Sequence, residues 1–245
     1  MFITDKKNLT LYFILFSLLG FFLRIWISQF GSNFDFAMWQ GNLELFKENK
    51  SIYEYGNYAY SPIWIYILNI LDLLKIPFLE ESYLSNKIPG SSYRIKIILF
   101  LSLVDFFIFY LFYKNYSLKV GLLFFLNPIS IIITGHHNQF SALALLIGFL
   151  AILLYEKNKF KNQIIVPLIL LGLSLSAKHI LIFFPIWWAV KEKKLINKIL
   201  ILFVPYSIFI ISFLPFLPGD LENIIDKLLF EWKRADGPFW GMFGP

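Results

Sequence analysis

Asp35, His136, His137, Gln139, Lys178 and His179 are the residues of this chain whose types and placement suit chemistry on a polar substrate. There is no cysteine, which removes a disulfide framework, a thiolate metal site and a cysteine nucleophile, and leaves carboxylates, lysines and histidines. Asp35 lies in Asn33 to Pro62, the one long polar interruption early in an otherwise apolar chain, within an aromatic shell of Phe34, Phe36 and Trp39. With Asn33 it suits a cap on a helix starting near Phe36, where a side-chain oxygen satisfies orphan amide hydrogens. It equally suits a general base acting on a hydroxyl, a role worth roughly 10² to 10⁴ in rate.

Two of the three histidines open the turn Gly135-His136-His137-Asn138-Gln139-Phe140-Ser141. Adjacent side chains point apart on most backbones, and no E-x-x-H or carboxylate cluster accompanies them, so the spacing favours hydrogen-bond donors to phosphate or sugar hydroxyls over a metal site. A polar turn facing water fits equally well. Lys178-His179 follows the break Ser174-Leu175-Ser176-Ala177. It reads either as a helix-end lysine at headgroup level or as a cation aimed at an anionic leaving group. Arg94 and Lys96 open a later apolar run on the same face and are candidates to share that role. Asp105, about midway along that run, calls for a buried partner, with a proton relay as the alternative. Arg24, near the end of the first run, suits snorkelling to the headgroups. Glu44, Glu48 and Glu54 with Lys47 and Lys50 read as a solvated helix face.

These residues need a membrane scaffold. A chain of 245 residues that is 58% hydrophobic, 20% aromatic and 16% charged is too apolar for a water-soluble domain. Its net charge of +6 comes from lysines in short loops, for which membrane topology is the cheaper explanation, so no nucleic-acid partner is expected. The run Leu9 to Ile27 follows Lys6-Lys7, matches the roughly 30 Å hydrocarbon thickness, and reads as a retained anchor with its N-terminus cytoplasmic. Pro62 to Ile76 is short and carries Asn69, Asp72 and Lys75, so it reads as an interfacial or shallow re-entrant helix.

Further runs are Tyr93 to Tyr113, Val120 to Thr134, Phe140 to Tyr155, Ile164 to Ala177, Ile180 to Val190 and Leu195 to Leu217. The expected fold is an all-α integral membrane protein of about seven transmembrane helices in a single domain, residues 1–245. A first span (about 9–29) leads to a long outer loop (about 30–92) with two amphipathic interfacial helices, then spans over 93–217 and an outer tail, 218–245. Lys114 and Lys119, then Lys157, Lys159 and Lys161, then Lys191, Lys193, Lys194 and Lys198 fall on the inner side in this scheme. Trp232, Phe239 and Trp240 in the tail suit an interfacial belt.

Several stretches in this order resemble the GT-C superfamily of polytopic glycosyltransferases, especially dolichyl-phosphate-sugar-dependent glucosyl- and mannosyltransferases and their bacterial relatives. They are Asp35 after the first span, Tyr58-Ala59-Tyr60-Ser61-Pro62, Asp105, and Leu126-Asn127-Pro128 running on to the Gly135 turn. Lys178-His179 before Phe184-Pro185, and Phe230-Glu231-Trp232 to Trp240-Gly241, complete the set, which covers nearly the whole chain. The resemblance implies transfer of a hexose from a polyprenyl-phosphate donor to a glycan, lipid or protein acceptor on the outer or lumenal face. Asp35 would be the base in an inverting reaction, and Lys178, His179 and Arg94 would hold the lipid phosphate. Tyr60, His136, His137 and Gln139 complete the expected substrate-binding set, with no cofactor and no metal. Related sequences often read G-Q-F-D where Ser141 stands here, which weakens a metal-dependent version. They also continue through further spans, so a fragment, or a module needing a partner subunit for the missing spans, is expected. The membrane is a bacterial plasma membrane or, alternatively, that of the endoplasmic reticulum. The competing class is non-enzymatic: an inactive family remnant, a transporter subunit or a flippase.

Overall fold

The structure is a computed structural model describing residues 6–56, 58–75, 91–158 and 164–233. It is all-helical, 80% helix, with no strand among the described residues. In chain order the helices are α1 (Lys6–Ile27), α2 (Phe34–Lys47), α3 (Ile63–Leu73), α4 (Ser91–Asn115), α5 (Leu118–Phe125) and α6 (Pro128–Gly135). They continue as α7 (Ser141–Asn158), α8 (Ile165–Ala177), α9 (Phe184–Lys191), α10 (Leu195–Ile211) and α11 (Leu217–Lys233). Short 3-10 turns cover Ser28–Phe30 and His179–Leu181.

Each of the seven apolar runs contains helix, though Leu195 to Leu217 is continuous only to Ile211 and Ile180 to Val190 is α-helical only from Phe184, and they differ in what they can span. Leu9–Phe30 and Ser92–Asn115 are long and apolar enough to cross a bilayer, and up to four spans result if each of two bent pairs counts as one. The first bent pair is α5 and α6, where the run Val120 to Thr134 is broken by 48° rather than continuous. Pro128 has no N–H to give an i−4 carbonyl. Asn127 restarts the helix instead, its Oδ1 accepting from the Ile129 N–H at 2.9 Å. The second pair is α8 with His179–Lys191, bent by 117° at Lys178, whose backbone is extended (φ −156, ψ 129). At 13 residues α8 reaches only about 20 Å.

The chain divides into two compact units, Met1–Ala37 with Leu68–Leu146, and Met38–Ile67 with Ile147–Pro245. In the first, Phe109 stacks on Phe13 at 4.8 Å and on Phe125 at 4.9 Å, tying α4 to α1 and α5. A Cβ on Gly135 would meet the Arg24 carbonyl oxygen at 2.4 Å, so only glycine lets the end of α6 lie this close to α1. That contact brings the turn after α6 against the chain leaving α1.

Arg24 does not snorkel. Its guanidinium is fully buried, with Nε and Nη2 each 3.0 Å from Asp105 Oδ2. Nη1 donates to the Gly20 carbonyl at 3.1 Å and Nη2 to Ser130 Oγ at 3.0 Å, while the group lies 4.4 Å over the Phe125 ring. Thr134 Oγ1 also donates to Asp105 Oδ2, at 2.6 Å. A buried acid held by a cation, Arg24, and a hydroxyl, Thr134, is the structural role expected of Asp105, and the expectation for Arg24 fails because its partner lies sideways, on α4, rather than at the surface.

In the second unit, Tyr155 stacks on Trp188 at 4.0 Å above Leu168, Leu171 and Ile201, which packs α8 and α9 against α10. The Tyr-rich segment packs here too. Tyr53 Oη donates to the Tyr60 carbonyl at 2.8 Å and Tyr58 Oη to that of Ser61 at 3.0 Å, and both rings are fully buried with Trp39 and Trp64. Burial pushes both phenols well above the ordinary tyrosine range. As expected, α2 turns Trp39 and Leu43 inward. The helix α3, 11 residues long, agrees with the short helix expected between Pro62 and Ile76. In the tail, α11 is a helix that sequence reading left unassigned, with a kink at Pro218-Gly219 where Gly219 has φ +104. Residues 76–90, Lys159, Lys161, and the tail aromatics Trp232, Phe239 and Trp240 lie outside what the structure describes of backbone or side chains.

Candidate functional site

The cap on α2 is Asn33, not Asp35. Asn33 Oδ1 accepts from the Asp35 N–H at 3.1 Å, the usual geometry between a cap and the second helical residue. Asp35 is thereby released from capping and sits in the first turn, where the helix dipole favours negative charge. Its Oδ2 accepts from Asn33 Nδ2 at 2.7 Å and from Gln139 Nε2. Asn33 Nδ2 is also 3.0 Å from His137 Nδ1. An amide that donates to the carboxylate and to the ring makes His137 Nδ1 the acceptor and places the ring proton on Nε2. One asparagine therefore orients both the acid and an imidazole.

His136 is the neighbour of His137 in the turn, with ring centroids 5.2 Å apart. Its Nδ1 is buried and takes no hydrogen bond among the described residues. Desolvation lowers its pKa, and His137 and Arg94 add to the effect, which favours the neutral imidazole. Asn138, in left-handed conformation at φ +57, is fully buried and donates from Nδ2 to the Thr134 carbonyl at 3.1 Å.

Arg94, expected to hold substrate, is fully buried and turned onto the protein itself. Nε donates to Asn138 Oδ1 at 2.9 Å and Nη1 to the Ser28 carbonyl at 3.0 Å. Nη2 reaches the carbonyls of Gly31, Gly135 (3.3 Å) and His136 (3.2 Å). It clips the chain after α1 to the turn after α6, and so sets the distance between Asp35 and Gln139. Lysine has one compact charge in place of this planar fork. Arg94→Lys is therefore expected to cost about 3 kcal/mol, read as a lower thermal midpoint in detergent, because several buried carbonyls lose their donor. An unchanged midpoint would remove Arg94 from this positioning role.

The remaining expected residues belong to the second unit. Lys178 Nζ lies 5.0 Å over the Tyr60 ring, and the His179 ring is 6.1 Å from Tyr60 and 6.4 Å from Phe209. All three are half-buried. Lys178 also ends α8, where a cation is favoured, and its N–H donates to the Ser174 carbonyl at 3.0 Å. The structure thus collects Asp35, Arg94, His136, His137 and Gln139 in one unit and Tyr60, Lys178 and His179 in the other.

Sequence reasoning missed two residues, the double role of Asn33 and the buried Asn138 that Arg94 grips. The signal for Asn33 was its position two residues before an acid; nothing local marked Asn138 out from a solvent-facing turn. Among the described residues no three His, Cys, Asp or Glu side chains group as a metal ion would require. No family model matches the chain, and no curated protein or solved structure matches it either.

Proposed function

We propose that this chain is a membrane glycosyltransferase of GT-C type that moves a hexose from a polyprenyl-phosphate donor to an acceptor hydroxyl with inversion. The observation that carries the reading is the Asp35 carboxylate, freed from capping, fixed through one oxygen by Asn33 and Gln139 beside an imidazole of defined tautomer. A base needs such a rigid mount, because a carboxylate that wanders loses the orientation on which general-base catalysis depends.

In the proposed step Asp35 takes the proton of the acceptor hydroxyl. The acceptor oxygen attacks the anomeric carbon as the bond from that carbon to the phosphate oxygen breaks, and the lipid phosphate leaves with the electron pair. The resemblance assigns the positive charge that this phosphate needs to Lys178, which within the second unit lies over the Tyr60 ring near His179. Asn33 and Gln139 orient Asp35, Gln139 and His137 offer donors to sugar hydroxyls, and Arg94 acts as a positioning residue.

The proposed topology has seven spans with a cytoplasmic N-terminus. Lys157 precedes the bent pair of α8 and α9, and Lys191, Lys193 and Lys194 follow it, so both ends belong on one face by charge. That holds if α8 and α9 each cross the bilayer or if the pair re-enters from that face, and it argues against counting the pair as one span. The test is transfer of labelled hexose from a panel of polyprenyl-phosphate donors in membranes carrying this chain. Transfer by the wild type, with Lys178→Ala raising the donor KM at least about tenfold, is the expected result. A folded wild type that transfers from no donor would sink the reading and favour the non-enzymatic class.

A further inference from the structure

The first unit carries an apolar groove that the proposed reaction does not use. It has a volume of about 620 Å³ and runs between the start of α1 and the whole of α5. Leu9 and Tyr12 form one wall and Leu122, Leu123 and Leu126 the other. The 48° turn at Asn127-Pro128 closes its far end, where α6 departs from the line of α5. Lys119 is the one charged residue in the lining, and it stands at the opposite end, in the first turn of α5. Lys114, exposed in the last turn of the preceding helix α4, adds a second cation to that side.

The dimensions are those of one lipid chain in one leaflet. Along α5 from Lys119 to Phe125 the groove rises about 9 Å at 1.5 Å per residue, and the turn to Pro128 carries it further, within a half-bilayer of roughly 15 Å. The charge runs in the same sense, with lysine at the end where headgroups lie and no charge at the end that points to the bilayer interior. Leu123 is 66% exposed and faces this space.

We propose that this groove binds an anionic glycerophospholipid, one acyl chain along the leucine wall and the headgroup phosphate at Lys119. A zwitterionic lipid gives the same chain contacts but carries no net charge for the lysines to attract, so selectivity comes from Lys119 and Lys114 while grip comes from the leucines. A basic residue near a lipid headgroup is worth roughly fivefold in affinity.

The experiment is native mass spectrometry of the delipidated full chain titrated with dioleoyl-phosphatidylglycerol, dioleoyl-phosphatidylcholine or undecaprenyl phosphate. The wild type is expected to bind phosphatidylglycerol about fivefold more tightly than phosphatidylcholine, and Lys119→Glu to erase that preference. Leu123→Trp, which fills an exposed groove without touching the buried core, is expected to lower occupancy by both phospholipids while leaving the thermal midpoint unchanged. Equal binding of the two phospholipids, or a preference that survives Lys119→Glu, would show an annular lipid only and overturn the proposal. Displacement of phosphatidylglycerol by an equal amount of undecaprenyl phosphate would overturn the assigned lipid class.

Discussion

Asp35→Asn, compared with the wild type at matched abundance, is expected to lower hexose transfer by about 10² to 10⁴ while leaving the donor KM within a few-fold. The substitution is nearly isosteric. The new amide oxygen still accepts from Asn33 and Gln139, so the start of α2 stays in place while the proton acceptor is lost. A loss confined to kcat is the mark of an interaction made in the transition state, whereas a loss through misfolding would lower the amount of folded chain. Asn33→Ala supplies a control in the other direction. It removes the α2 cap, at a cost of about 1 kcal/mol, and also frees Asp35 and His137 to rotate, so activity is expected to fall although the base itself remains. Equal transfer by the wild type and Asp35→Asn would take Asp35 out of the mechanism.

The second large effect is on stability. Arg24→Met leaves Asp105 buried in an apolar span with Thr134 as its remaining donor, and Asp105→Leu strands a guanidinium that is fully buried. Either single change is expected to destabilise by about 3 to 5 kcal/mol, because the surviving charge stays buried without its counter-charge. The double variant Arg24→Met with Asp105→Leu removes both charges and keeps the volume, and it is expected to recover most of that loss. Thermal unfolding in one detergent across the three variants decides the matter. Full additivity of the two single losses would mean that the pair is not coupled, against the 3.0 Å contact between the groups.

How much of this was visible in the sequence differs from residue to residue. Helix α2 was legible because Phe36, Trp39, Leu43 and Phe46 recur at helical spacing, and three of them are buried to within 4% of complete. The run Val120 to Thr134 reads as one span, and its 48° break at Asn127-Pro128 was missed although proline lacks the N–H that would continue the helix. The role of Asp35 was ambiguous, since Asn33 and Asp35 both suit a cap and only the backbone at the start of α2 decides between them.

The sequence by itself determined the class of protein, an all-helical chain with apolar segments fit for a membrane, and the side chains available for chemistry. Hydrophobic periodicity, composition and turn residues act over a few neighbours, so they are written along the chain. The tertiary structure alone decided the partners: Arg24 with Asp105 across 81 positions, Asn33 with His137 and Asp35 with Gln139 across 104 each, and Arg94 with Asn138 across 44. It also turned Arg94 from an expected substrate ligand into a clip between two loops. A guanidinium binds whichever carbonyls or anions the fold brings within 3 Å or so, and no spacing rule along the chain fixes which those are.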